Sequence, residues 1–282
     1  MGAPCALAGA LAAIAMRTTR SRSARLLASA ALVAAIAAAT AGCQTMQSTP
    51  VTGAPPLALS DRSAADWQRD IETYGKQYHA DPNNVDVALR YAQALRATAQ
   101  RAQAVAVLER ASIQNPRNKI VIGEYGRALA EAGDYEQAFE VLGRAHSPDQ
   151  PDWHILSAQG AALDQMGRHG EAQRYYLTAL KIVPDEPSVL SNLGLSYALA
   201  KDLPNAETTL RRASTGHPVD PRVRQNLALV LGLQGRFAEA EEVARADMSP
   251  DQAAANVAYL RQMLAQRADA PKPKRSAALP SG

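Results

Sequence analysis

The sequence predicts an all-α fold: a right-handed superhelical solenoid of about five helix-pair repeats of 34 residues, with a capping helix at each end. The 282 residues are rich in Ala and Leu and include only 2 Phe and 2 Trp, a mixture that favours helices over strands. The chain also resembles itself at a fixed period of 34 residues. A period of that length is typical of solenoids whose units are pairs of helices.

Five units follow one another without insertion, at residues 85–118, 119–152, 153–186, 187–220 and 221–254. The twentieth position of each unit is Ala, and the eighth is always small: Ala92, Gly126, Gly160, Gly194 and Ala228. We expect position 8 of the first helix to face position 20 of the second, because only small residues let two helix backbones approach closely. Larger residues at positions 4, 7, 11 and 24 should fill the space between helices. This pattern is that of the tetratricopeptide (TPR) repeat.

Turn residues agree with that interpretation. A glycine ends the first helix in three units, at Gly133, Gly167 and Gly235. Proline at position 32 stops the second helix in three units, at Pro116, Pro184 and Pro218.

The TPR domain is predicted to span residues 66–266, with a single helix at each end of the array. Asp66–Asn83 forms the first, and Asp251–Gln266 forms the last, with Val257, Leu260 and Leu264 on one face. Such helices cover the apolar faces of terminal repeats. Residues 43–65, rich in Thr, Ser and Pro, are predicted to be a flexible tether, and residues 267–282 a disordered tail.

Residues 1–42 are predicted to be an export signal. From Met16 onward, a basic region (Arg17 to Arg25) precedes an apolar run (Leu26 to Ala39) and small residues, which is the layout of a secretory signal. The run is too short for a transmembrane helix. Only the segment from Met16 has this order, so Met16 is the predicted start; the alternative is a longer signal with a divergent leader.

The segment Thr40–Cys43 resembles a bacterial lipobox, although that motif prefers Leu where Thr40 stands. We therefore predict that Cys43 carries palmitate-type lipid and becomes the first residue of the mature protein, with ordinary cleavage after Ala39 or Ala41 as the alternative. Several acyl chains would anchor the protein stably. By analogy with enterobacterial lipoproteins, Gln44 favours the outer membrane, with the protein facing the periplasm.

Charge and motifs argue against several other functions. Four of the 30 basic residues and none of the 27 acidic ones precede Cys43, so the remainder is nearly neutral and offers no case for nucleic-acid binding. No cysteine follows Cys43, which excludes a cysteine-based metal site in the fold. The five histidines are scattered, and no phosphate-binding loop or nucleophile elbow occurs. We predict no enzymatic activity, cofactor, metal or small-molecule substrate. The alternative, an envelope hydrolase or its activator, would need a catalytic domain for which the array leaves no room.

The predicted binding surface is the concave side, lined by positions 2, 5, 6, 9, 12 and 13 of each first helix. The candidate groove residues are Arg127, His154, Ser157, Asp164, Asn192, Leu195, Arg222 and Asn226. Asn192 and Asn226 share position 6 in adjacent units, a placement suited to holding the backbone of an extended peptide. The Lys and Asn of the chaperone-binding carboxylate clamp are absent, since Ser157 and Ala161 occupy those places. Leucines such as Leu195 and Leu229 suggest a partly apolar groove. For each residue the alternative is ordinary packing between repeats or neutral surface.

Three stretches resemble the TadD family, TPR lipoproteins of the Flp/Tad pilus assembly system of Gram-negative bacteria. They are residues 152–213, VRQNLALVLGLQGRFAEAE at 223–241 and NVAYLRQMLAQ at 256–266. The resemblance runs from about Trp67 to Gln266 and implies an outer-membrane-anchored periplasmic adaptor. Its partners would be proteins of the pilus secretion machinery, such as the secretin. The alternative is a general envelope adaptor that serves outer-membrane protein assembly, type IV pilus secretins or peptidoglycan enzymes.

Overall fold

A computed structural model of the chain describes residues 62–215 and 219–269. The described residues from Trp67 onward belong to one compact unit. The predicted export signal, Cys43 and most of the predicted tether and tail lie outside the described residues, as do His217 and Pro218.

The described residues form twelve α-helices and no strand, apart from a single bridge between Ser147 and Gln150. The helices are α1 (Ala64–Ala80), α2 (Val85–Ala97), α3 (Arg101–Gln114), α4 (Lys119–Ala132), α5 (Tyr135–Gly143), α6 (Trp153–Gln165), α7 (His169–Ile182), α8 (Pro187–Leu199), α9 (Leu203–Ala213), α10 (Pro221–Leu233), α11 (Phe237–Ala244) and α12 (Pro250–Asp269). From α2 to α11 they pack as consecutive pairs, and each pair also contacts the next. The predicted all-α solenoid of helix pairs is confirmed.

Each first helix begins in the same way. The residue directly before each unit caps that helix: the side chains of Asn84, Asn118, Asp152, Glu186 and Asp220 accept hydrogen bonds from backbone N–H groups of the first turn. The donor–acceptor distance is 2.8 Å from both His154 N and Arg222 N. A cap of this kind contributes about 1 kcal/mol, so the start of each unit is fixed by one side chain.

Each first helix also ends in the same way. In every unit the N–H of position 16 bonds to the carbonyl of position 11, as in Asp134 to Leu129 at 3.0 Å, and position 15 has a positive φ. This is a Schellman-type ending, which favours glycine at the left-handed residue. Gly133, Gly167 and Gly235 supply it as predicted, but Ala99 (φ 60°) and Lys201 (φ 68°) adopt the same backbone without being glycine.

Lys201→Gly is therefore expected to stabilise the chain by about 1 kcal/mol, because the left-handed conformation costs an L-residue about that much. Gly235→Ala should destabilise it by a similar amount, since Gly235 has a φ of 81°. Urea denaturation measures both changes. Lys181→Gly, at an exposed lysine within α7, is the matched control and should destabilise by up to about 1 kcal/mol. Stabilisation by both lysine substitutions would contradict the explanation.

The core repeats along the array. The alanine at position 20 is 0% exposed in all five units. The nearest neighbour of the small residue at position 8 differs from the prediction, however. A Cβ built on Gly126 or Gly194 would lie 2.6 Å from Cγ of Leu142 or Leu210, which are at position 24, whereas the position-20 carbonyl of Ala206 is 3.3 Å away. Positions 20 and 24 lie on the same helix face, and the longer side chain reaches across first.

The last helix packs against the fifth unit. Ala253 and Leu260 of α12 are buried and Leu264 is half-buried. A Cβ on Gly232 of α10 would overlap with Leu260 Cδ2. At the other end of the array, Tyr78 of α1 is buried and its ring lies 5.6 Å from that of Tyr91. Both terminal helices thus cover apolar surface of a neighbouring unit, as a solenoid requires.

Candidate protein-binding surface

Positions 2, 5, 6, 9, 12 and 13 of the first helices form one surface, which we call the helix-A face. Of the predicted groove residues, His154 and Arg222 are exposed on it, and Arg127, Asn192, Leu195 and Asn226 are half-buried. Ser157 and Asp164 are only 8% and 6% exposed. The structure thus places the predicted residues on one face but turns two of them inward.

The two asparagines make identical contacts in neighbouring repeats. Asn192 Nδ2 donates to Ser157 Oγ at 3.2 Å, and Asn226 Nδ2 donates to Ser191 Oγ at 2.9 Å. In both pairs, position 6 of one repeat bonds to position 5 of the repeat before it. Each amide can donate two hydrogen bonds and accept two. Because one donor fixes its orientation, each amide keeps an N–H and an oxygen for a ligand.

The leucines on this face also differ in how far they are buried. Leu195, Leu199 and Leu233 are half-buried, whereas Leu229 is 2% exposed and belongs to the interior. Gln225 is also buried. The apolar part of the surface is therefore narrower than the sequence predicts, and it lies beside the two asparagines.

Arg127 belongs to an ion-pair network that joins the first two repeats. Glu124 pairs with both Arg127 and Arg96, and Arg96 also pairs with Glu131 at 2.5 Å. Burial disfavours the charge of Arg96, but hydrogen bonds and ion pairs with Glu131 and Glu124 outweigh it and raise the pKa of Arg96. The charges at this end of the helix-A face are compensated within the protein.

Asp164 is the centre of a buried polar cluster. Its Oδ1 accepts hydrogen bonds from His169 Nδ1 at 2.7 Å and Ser196 Oγ at 2.8 Å, and its Oδ2 accepts one from Tyr176 OH at 3.1 Å. Burial raises the pKa of Asp164 above its ordinary value, although these hydrogen bonds oppose the shift. The cluster connects α6, α7 and α8 and therefore joins the third repeat to the fourth.

This cluster contains the three residue types of a Ser-His-Asp catalytic triad, but their arrangement differs from that of a triad. In a triad the imidazole stands between the hydroxyl and the carboxylate and takes the hydroxyl proton. Here Ser196 and His169 both bond to the same oxygen of Asp164, and Ser196 is 0% exposed. The hydroxyl does not meet the imidazole at the position that a triad requires, and full burial denies it access to a substrate, so the cluster is structural.

A cavity of about 260 Å³ lies beside Arg127, between α4, the connection 144–152 and α6. Sequence reasoning did not find it or the partners of Asp164. Two signals were present in the sequence: Tyr176 stands at position 24, where most units have Leu, and Pro148 and Pro151 interrupt the end of the second unit.

Two properties of the described residues bear on other functions. No group of three or more His, Cys, Asp and Glu residues in them is arranged to hold a metal ion. None of the helices in that part of the chain combines the length and apolar character needed to cross a membrane.

Comparisons with known proteins agree on the fold. Two family models, both described as tetratricopeptide repeat, match residues 100–160 and 157–221. No curated protein matches the chain significantly by sequence.

Solved structures with the same architecture include PilW, described as a widely conserved type IV pilus biogenesis factor. It is 20% identical with a TM-score of 0.53, and the match covers 73% of this chain and 88% of PilW. The APC/C hetero-tetramer Cut9–Hcn1 is 14% identical with a TM-score of 0.56, and the match covers 71% of this chain and 41% of that one. MamA is 22% identical with a TM-score of 0.47, with 57% and 95% covered.

At these identities the likeness concerns the fold alone. Repeats of this type present surfaces for protein partners. The chain therefore carries tetratricopeptide repeats, and its described helices form a TPR solenoid.

Proposed function

We propose that the chain is a non-enzymatic adaptor lipoprotein for Flp/Tad pilus assembly, which binds an extended segment of a pilus-machinery protein on its helix-A face. The observation that carries the binding mode is the repeated Asn–Ser pair, Asn192 with Ser157 and Asn226 with Ser191. The resemblance of residues 152–213 to the TadD family supports the pilus assignment. The fold of PilW is compatible with it, since that protein is described as a pilus biogenesis factor.

The spacing of the two amides suits an extended chain. The helices α8 and α10 pack directly against each other, and packed helix axes lie about 8–10 Å apart. About three residues of extended chain span that distance at about 3.3 Å each. The two asparagines are thus placed to bond the same backbone groups three residues apart, which fixes the direction and register of the segment.

The segment that fits is uncharged. At the helix-A-face positions of the fourth and fifth repeats, Arg222 is the one charged residue, and it already pairs with Asp220 at 3.3 Å. Leu195, Leu199 and Leu233 offer apolar contact beside the amides. A charged segment would lose hydration there without gaining a counter-ion.

Replacing both asparagines tests this binding mode. In Asn192→Ala/Asn226→Ala we expect capture of the partner to fall at least tenfold, because each lost hydrogen bond is worth about 1 kcal/mol or more. The measurement is the yield of partner cross-linked to the full chain in envelopes of the source bacterium. Asn205→Ala is the matched control, since Asn205 is exposed on α9 and bonds only Asp202 in the described structure. Equal yields from both variants would contradict the binding mode.

Identification of the partner tests the pilus assignment. A photo-cross-linking residue in place of Leu199, on the helix-A face, should capture the secretin or another pilus component, whereas one in place of Leu177, exposed on α7, should not. Capture of an outer-membrane assembly factor or a peptidoglycan enzyme would favour the general envelope adaptor. Recovery of no pilus component, with pili still assembled in a deletion strain, would refute the proposal.

The proposed outer-membrane location depends on Cys43. Labelled palmitate should enter the wild-type protein but not Cys43→Ala, because lipid joins the sulfur of that residue in the lipoprotein pathway. The variant should be found in the soluble periplasmic fraction. Equal labelling of both proteins would show that residues 1–42 are only a cleavable export signal.

A further inference from the structure

The turn between α3 and α4 joins the first repeat to the second and carries the two most exposed large aliphatic side chains of the described residues. Ile113, near the end of α3, is 72% exposed, and Ile120, in the first turn of α4, is 68% exposed. The next are Leu177 at 45% and Ile182 at 39%. Because α3 and α4 are packed neighbours, both isoleucines lie at the same end of this helix pair. Apolar surface that is concentrated in one place, rather than scattered, marks an interaction site.

The same turn differs in charge from the other turns between repeats. Between Glu109 and Glu124 the chain has three basic residues, Arg110, Arg117 and Lys119, and no acidic one. From position 31 of one unit to position 2 of the next, this turn has two cations, whereas each corresponding turn has at least one carboxylate. Those carboxylates are Asp81 and Asp86, Asp149 and Asp152, Asp185 and Glu186, and Asp220. Positive charge between repeats is thus particular to the α3–α4 turn.

The charge of the three cations is not compensated within the protein. All three side chains belong to exposed residues, and within residues 62–215 and 219–269 none of them forms an ion pair. Carboxylates of the adjoining turns accept hydrogen bonds from their own backbone instead. Asp81 Oδ1 accepts from Asn83 N at 3.1 Å, and Asp152 Oδ1 accepts from His154 N at 2.8 Å. The turn therefore presents positive charge to solvent beside the two isoleucines.

Hydrogen bonds hold the backbone of the turn. Asn118 Oδ1 accepts from Ile120 N at 3.1 Å, and the N–H of Asn118 donates to the carbonyl of Asn115 at 3.0 Å. Gln114 Nε2 donates to Asn83 Oδ1 at 2.7 Å, which ties this turn to the one before it. A turn that is already ordered loses little conformational entropy when it binds.

An anionic lipid surface is the partner that fits these features. Side chains that are about 70% exposed project from the protein, although Ile120 also lines the cavity beside Arg127. The boundary of a bilayer accepts projecting aliphatic side chains, and its anionic headgroups attract Lys and Arg. An acidic protein segment would match the charge, but that partner would need an apolar pocket for each isoleucine. A bilayer provides both without such a fit.

We propose that the α3–α4 turn docks on anionic phospholipid of the membrane that carries the protein. The two isoleucines lie at the boundary between headgroups and acyl chains, and the three cations contact phosphate groups. The inference rests on the proposed outer-membrane location and adds an orientation to it, while Asn192 and Asn226 lie outside the turn and stay available to the partner segment. Contacts of this size bind weakly by themselves, so release of Cys43→Ala into the soluble fraction is still expected.

Hydrogen exchange on vesicles tests the docking surface directly. The full chain, purified from envelopes, is mixed with excess vesicles of phosphatidylethanolamine that contain about one quarter phosphatidylglycerol. Amides of residues 114–120 should exchange at least about threefold more slowly than on vesicles of phosphatidylcholine. Residues 183–188, in the corresponding turn between the third and fourth repeats, are the internal control and should not change. Salt at about 0.5 M should reduce the protection, because it screens the attraction.

A first pair of variants tests the apolar contact. In Ile113→Ser/Ile120→Ser we expect the protection by anionic vesicles to be lost, because the serines have no aliphatic surface to bury among the lipids. Leu177→Ser/Ile182→Ser removes the two aliphatic side chains that are next in exposure and should leave the protection of residues 114–120 unchanged. Equal protection in the two double variants would overturn the role of the isoleucines.

A second pair tests the charge. Arg117→Glu/Lys119→Glu should abolish the protection, whereas Arg101→Glu/Lys181→Glu should not, since it reverses the same number of exposed, unpaired charges elsewhere in the described structure. Poly-glutamate without vesicles is the probe for an acidic protein partner. Protection by poly-glutamate but not by vesicles would overturn the lipid assignment. An unchanged turn on anionic vesicles would do the same even if palmitate enters Cys43, because the labelling reports on the anchor alone.

Discussion

Gly160→Ala is expected to lower the free energy of unfolding of the chain by about 3 kcal/mol. The new Cβ would lie 2.7 Å from Cε1 and 2.8 Å from Cζ of Tyr176, closer than carbon atoms approach in folded proteins. The ring is rigid and 1% exposed, and its hydroxyl bonds to Asp164 Oδ2 at 3.1 Å. The ring therefore has no free direction in which to retreat. Urea denaturation of wild type and variant measures the difference.

The control is the same substitution at a glycine that has open space around it. Gly170→Ala, on α7, meets nothing within 4 Å and should be neutral or stabilise by up to about 1 kcal/mol. Tyr176→Leu should rescue Gly160→Ala in part, because the double variant recreates the pair Ala92 and Leu108 found at positions 8 and 24 of the first unit. Strictly additive losses in the double variant would show that the two residues do not collide.

The fold could be predicted because every unit makes the same contacts. Five alanines at position 20 are fully buried, and a buried small residue at a fixed period is visible in the sequence without knowledge of its partner. The residue type at the left-handed position that ends each first helix was less predictable. Ala99 and Lys201 take the left-handed backbone against their own preference, because the repeat places a Schellman ending there regardless of the residue. The packing of the repeats thus overrides the backbone preference of the individual residue.

The binding surface could be predicted only to the level of a face. Helical period places Ser157 and Asp164 on the same side as Asn192, but it does not show whether a polar side chain at the edge of that face turns inward. Asp164 turns inward because Tyr176, Ser196 and His169, from two other helices, supply three donors. The sequence contains those residues at separations of up to 32 positions, and nothing in a single sequence links them.

Asp164→Ala is expected to lower the free energy of unfolding by about 3–5 kcal/mol. The substitution leaves the buried hydroxyls of Ser196 and Tyr176 without their acceptor and removes the hydrogen bond from the partly buried His169, and each unsatisfied buried group costs about 1–3 kcal/mol. Asp164→Asn is the matched control and should cost less, about 1–3 kcal/mol. The amide oxygen still accepts from Ser196 and His169, and only the hydroxyl of Tyr176 loses its acceptor, although the amide nitrogen can donate to the oxygen of Tyr176. Equal losses in both variants would show that the negative charge, rather than the hydrogen-bonding shape, holds the cluster together.

The pH dependence of the stability of wild type and of Asp164→Asn distinguishes the effect of the carboxylate charge from that of the hydrogen-bond geometry. Burial raises the pKa of the Asp164 carboxyl in the folded chain above its ordinary value of 3.8. The folded state then binds the proton more strongly than the unfolded state. The carboxyl thus contributes stability below the unfolded pKa, and this contribution is lost as the pH rises through the folded pKa. The amide introduced by Asp164→Asn has no proton to lose in this range, so the stability of that variant relative to wild type should increase as the pH rises from about 4 through the folded pKa of Asp164. Urea denaturation of both proteins at several pH values measures this difference in the free energy of unfolding. A fall in the relative stability of the variant over that range would mean that the hydrogen bonds to the carboxylate outweigh the effect of burying it.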